Sequence, residues 1–172
     1  MLFTPFEIKE TVDMFLRQKL DIRAITLGIS LLDCISSSGT ESRRRIRDKI
    51  LKIAGPLNQV SRDIEAGYGI PIINRRVSVT PISLVAGASD DEDYLPYAVL
   101  LDQIAQELNI DFVGGFSALV QKGITEGDRK LLLSIPRALS STERVCASVN
   151  LATTKSGINM DAVRMMGKII KE

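Results

Sequence analysis

At 172 residues the chain is long enough for one domain with a real apolar core. Its net charge of +1 sets up no field that would draw it to nucleic acid or to an anionic membrane. Histidine is absent, which removes the usual general base, the Ser–His and Cys–His nucleophile systems and the commonest metal ligand.

The stretch "TPFEIKETVDMFLRQ" predicts an opening helix, with Thr4 as N-cap, Pro5 at the first helical position and Glu7 closing a capping box. Ile8, Val12, Phe15 and Leu16 mark its apolar face. The charges in these first residues exclude a secretory signal, and no apolar run reaches about 18 residues, the length of a membrane span. The two cysteines, Cys34 and Cys146, show no CxxC or metal-ligand spacing, so the expectation is a soluble cytoplasmic protein with free thiols.

"IRAITLGISLL" reads as a buried strand that ends at Asp33 and Cys34. After the polar break "SSSGTES", Ile46, Ile50, Ile53, Leu57, Val60 and Ile64 predict one long helix, kinked at Pro56 and ended by "GYGIP". "IINRRVSVTPI" alternates Arg76, Ser78 and Thr80 with Val77 and Val79, a strand with one polar face. "SDDED" sets acids at the start of a helix whose inner side is Tyr97, Leu101, Ile104 and Leu108. "IDFVGGF" predicts a third strand, "EGDRKLLLSIPRAL" a short helix and "RVCASVNL" a fourth strand. "NMDAVRMMGKIIK" predicts a terminal helix with Val163, Met166 and Ile170 inward. Strands alternating with helices imply an α/β fold with mostly parallel strands.

In such folds ligands collect beyond the carboxyl ends of the strands. Gly114 and Gly115 are expected at such an end, in "GGFSAL". One reading is a small anion held by backbone N–H groups beside Ser117; the other is a tight strand-to-helix turn. Under the first, Gly115→Ala weakens binding about tenfold and barely moves stability. No GxGxxG or GxxxxGK[ST] motif occurs, and no cofactor is indicated. Arg75 and Arg76 point to opposite sides of their strand, so one faces a cleft or pairs with a structural carboxylate. Cys34 is either a nucleophile at a strand end or a small buried apolar residue, and Cys146 is expected in the core. "ESRRRIRDK" reads as a solvated helix face rather than a nucleic-acid patch.

The blocks "DIRAITLGISLLDC", "YGIPIINRRVSVTPISLVAGAS", "FVGGFSALVQKG", "SIPRAL" and "RVCASVNLATTKSGINMDAVRMMGKII" together resemble one family. It is the pyruvate formate-lyase-like family known as domain of unknown function 711 (uncharacterised protein family 0210). The resemblance implies soluble prokaryotic proteins with a fold similar to the β/α barrel of glycyl-radical enzymes. It also implies a partner of the ACT-domain class, encoded beside family members. Family chains are longer, so residues 1–172 are expected to form a single α/β domain, the N-terminal portion of such a chain. Glycyl-radical chemistry is not implied, because Cys34 and Cys146 are not an adjacent pair and no radical glycine loop occurs.

Two functions follow from this reading. The first is an enzyme or former enzyme acting on a small anionic metabolite. Cys34 would be its nucleophile, and Arg76, Ser78, Thr80, Gly114, Gly115, Ser117 and Asn150 its binding residues. The second is a non-catalytic metabolite-binding or regulatory protein using the same pocket. Self-association is expected from the open sheet edges of a partial barrel.

Overall fold

Thr4 opens the first helix as its spacing predicts: Glu7 N–H donates to Thr4 Oγ1, and Thr4 N–H donates to Glu7 Oε2 at 2.7 Å. The computed structural model describes residues 4–17 and 22–171; the side chain of Phe15, one of the four apolar positions named for this helix, lies outside what is described. Helix α1 (Pro5–Leu16) leads into β1 (Ile22–Ile29), and a single 3₁₀ turn over Leu32–Cys34 separates β1 from α2 (Gly39–Ala54). Next come α3 (Leu57–Tyr68), β2 (Ile72–Val79), α4 (Ile82–Ala86), α5 (Leu95–Glu107) and β3 (Phe112–Leu119). Then follow α6 (Glu126–Ser140), β4 (Val145–Asn150), the hairpin β5 (Ala152–Thr153) and β6 (Gly157–Ile158), and α7 (Met160–Ile169).

Strands β1 to β4 form one parallel sheet in the order β1-β2-β3-β4, each beside its predecessor in sequence. The α/β alternation expected from the sequence is therefore the fold. Parallel neighbours joined by right-handed crossovers carry their helices on a common side. The burial pattern agrees: Val77, Val79, Val113, Phe116 and Ala118 join Ile46, Ile50, Ile82, Tyr97, Leu101 and Leu131 in one apolar core. Strand side chains alternate, so the residues between these point to the opposite face, which no helix of the core covers. No helix among the described residues is long and apolar enough to cross a membrane.

Several expectations are corrected by this arrangement. β1 is not buried throughout; only Ile29 is, because β1 is a sheet edge and half its side chains belong to the uncovered face. The long kinked helix is two helices. Gly55 ends α2 and Pro56, which lacks the N–H a continuing helix needs, caps α3. The helix after β3 is not short but runs 15 residues from a capping box of Thr125 and Asp128. In α7 Ala162 and Ile169 are buried and Met166, as expected, packs half-buried on the core with Met165, whereas Ile170 is 79% exposed and Val163 36%. The reason is the N-cap: Asn159 accepts from Ala162 N–H while its amide donates to Val120 O at 2.6 Å, which fixes the rotation of the helix.

The acids of "SDDED" mostly hold distant chain together. Asp90 accepts from Gly39 N–H at 2.8 Å, Asp91 pairs with Arg43, and Asp93 pairs with Arg137. Asp93 alone also serves the start of α5, accepting from Leu95 N–H. Arg75, on the covered face of β2, pairs with Glu65 at 3.1 Å, so the structural-carboxylate reading holds for it.

Candidate functional site

The register of the four strands arranges the uncovered face into rows. Thr26, Arg76 and Phe112 lie side by side on β1, β2 and β3. One step further along, Gly28, Ser78, Gly114 and Cys146 make a row that crosses all four strands. Ser117 then pairs with Ser148, and Leu119 with Asn150. The face is polar and small at its centre, where an α/β sheet covered on both sides would carry large apolar residues.

Over the first two rows lies a hollow of about 350 Å³, lined by Thr26, Arg76, Ser78, Phe112, Gly114 and Cys146. That is within the size range of small-molecule sites. The Arg76 guanidinium stands 5.5 Å from the centre of the Phe112 ring, close enough for a cation–π contact that carries it over β3. Among the described residues no carboxylate pairs with Arg76, unlike Arg75 one position earlier. A planar fork of donors thus faces the hollow with its charge uncompensated, the arrangement that binds a carboxylate or phosphate.

The expected site residues are only partly brought together. Arg76, Ser78 and Gly114 line the hollow. Ser117 and Asn150 share the face in later rows; Ser117 is buried and donates to Gly115 O at 3.3 Å. Thr80 follows β2 and accepts from Leu31 N–H at 2.9 Å, tying the chain after β1 to the end of β2. Cys34 is buried in the 3₁₀ turn and is not among the residues lining the hollow. Burial, with the Asp33 carboxylate beside it, pushes its thiol upward in pKa, so the reactive thiolate is scarce at neutral pH.

Gly114 and Gly115 do not sit at the carboxyl end of β3, nor in a turn. They are inside the strand, where the pairing with β4 slips between Gly114 and Phe116 and leaves Gly115 as the extra residue of a bulge. Cys146 is not core either. It is exposed, because Val145 takes the inward position of β4 and the next residue must turn outward.

Thr26, Phe112 and Cys146 also line the hollow, beyond the residues expected from the sequence. The signal for them was parity: Thr26 alternates with Ile25 and Leu27 as Arg76 does with Val77. Among the described residues there is no group of three or more acidic or cysteine side chains placed to hold a metal ion.

Comparison with known proteins adds the family. A family model described as "Uncharacterised ACR (DUF711)" matches residues 13–172. The chain belongs to this family. Its relatives include a UPF0210 protein of Halothermothrix orenii, 60% identical over 171 residues, which cover 99% of this chain and 38% of the relative. A UPF0210 protein of Acetivibrio thermocellus is 58% identical over the same share of each chain. One from Lactobacillus helveticus is 54% identical over 96% of this chain and 37% of its own length. The chain therefore spans less than two-fifths of the length of these relatives.

Proposed function

We propose that the uncovered face is the inner wall of a β/α barrel like that of pyruvate formate-lyase. On this reading it is the pocket of an enzyme or former enzyme acting on a small carboxylated or phosphorylated metabolite. Parallel strands added one after another, with helices on one side only, build a barrel when the pattern continues. The relatives' greater length supplies chain for further units. Cytoplasmic location and pairing with an ACT-domain protein belong to the same proposal.

The observation that carries the anion is Arg76, which pairs with no carboxylate among the described residues and stands over the Phe112 ring beside Ser78 and Gly114. Charge-assisted hydrogen bonds from a guanidinium contribute about 1.5–3 kcal/mol each. Arg76→Gln is expected to weaken binding of inorganic phosphate at least about tenfold, or about 1.4 kcal/mol, in isothermal titration. Its unfolding midpoint should stay near that of the parent, because the Arg76 side chain is exposed. Phosphate bound equally well by both proteins would remove Arg76 from the reading.

The open sheet leads to a second expectation. β1 and β4 each offer one unpaired edge among the described residues, and such edges template pairing with another chain. The 172-residue chain alone is expected to sediment as dimers or larger species at micromolar concentration. A clean monomer would speak against a barrel left open.

A further inference from the structure

Cys146 stands in the same row as Ser78, and the residue between them is Gly114. Neighbouring strands are about 4.8 Å apart, so Ser78 and Cys146 face each other over about 10 Å of sheet that carries no side chain. A Cβ placed on Gly114 would meet only Ser78 Oγ, at 3.9 Å, so this gap is open space. Phe112 holds the Arg76 guanidinium over β3, the strand next to Cys146, rather than out over β1. Of the two thiols, only this one is exposed and lines the hollow.

We propose that Cys146 is the thiol of this site, and that its ligand is a short carboxylate with an electrophilic carbon next to the charged group. The carboxylate rests on Arg76, the body of the ligand crosses Gly114, and the electrophilic carbon meets the sulfur. The inference rests on the anion-binding reading above and adds the side chain that such a ligand would react with. A cationic group beside a thiol raises the local concentration of anionic reagents.

Two alkylating agents separate the possibilities, because iodoacetate carries the carboxylate and iodoacetamide does not. In both reactions the sulfur displaces iodide from the CH₂ carbon; a C–S bond forms, the C–I bond breaks, and the thiol proton passes to solvent. Rates are measured on the full chain and located by peptide mapping, so that Cys34 is counted separately. Relative to a free thiol in solution, the iodoacetate-to-iodoacetamide rate ratio at Cys146 is expected to rise at least about tenfold. Inorganic phosphate should lower that ratio, and Arg76→Gln should return it to the free-thiol value. Gly114→Ala, which fits its surroundings, should slow iodoacetate by filling the gap while the protein stays folded.

A ratio equal to that of the free thiol overturns the assignment of Cys146. If phosphate still binds and depends on Arg76 in titration, the anion pocket stands without its thiol. If phosphate does not bind either, both readings fall.

Discussion

Gly115→Ala is expected to destabilise the fold by on the order of 3 kcal/mol. Two penalties act together. Gly115 has φ +124°, a backbone conformation that is nearly exclusive to glycine. A Cβ there would also lie 2.4 Å from Val79 Cγ2 and 2.8 Å from Val79 O, and the second of these is backbone that cannot rotate away. Each penalty is of order 1–3 kcal/mol by itself. Urea unfolding of Gly115→Ala beside Gly114→Ala is the measurement, since the neighbouring glycine has room for a methyl and no positive φ. A loss below about 1 kcal/mol at Gly115, or equal losses at both positions, would contradict the geometry. The expectation drawn from sequence, that Gly115→Ala affects binding and spares stability, is thereby reversed: the bulge packs on Val79 of β2.

A comparable loss, about 3 kcal/mol, is expected for Asp102→Ala. Asp102 is buried on α5 and reaches across to the start of β4. Its Oδ1 accepts from Glu143 N–H at 3.0 Å and Arg144 N–H at 2.8 Å, while Oδ2 accepts from Gln106 Nε2 at 2.7 Å. Truncation leaves two backbone donors without an acceptor just where the chain enters the sheet. Asp102→Asn keeps one oxygen for both N–H groups, and the Gln106 amide can turn to accept from the new amide nitrogen. That variant should lose only about 1 kcal/mol. Equal losses for the two variants would show that the charge, not the pairing of the donors, is what matters.

What was legible in the sequence depended on whether the deciding contact was local. The capping box at Thr4 and the alternation of "RVSV" involve neighbours in the chain, and both appear in the structure as written. At Cys146 the two signals oppose each other: parity with Val145 places it outward, as the structure has it, whereas cysteine as a residue type is commonly buried. In β1 the outward residues Ala24, Thr26 and Gly28 are small, so the alternation hides within what reads as a continuous apolar run. The two glycines of "GGFSAL" stand out in the sequence because glycine weakens a strand and marks a bulge or a close approach. Their different roles were illegible, because one depends on Val79 and the other on an empty space, and both belong to tertiary structure. The hollow at Arg76 is half legible. Arg76 and Ser78 alternate visibly, whereas Phe112, which orients the guanidinium, belongs to a strand 36 residues further on.

The strand order has a consequence for how the protein is made. Each strand of the sheet pairs with the one synthesised just before it, and none is inserted later between two that are already paired. A growing chain leaves the ribosome from its amino end at about 5–20 residues per second. Every new strand–helix unit therefore meets a finished edge as it emerges and can dock there without displacing anything. Assembly can keep pace with translation, and the stretch of chain waiting unpaired never needs to exceed about one unit.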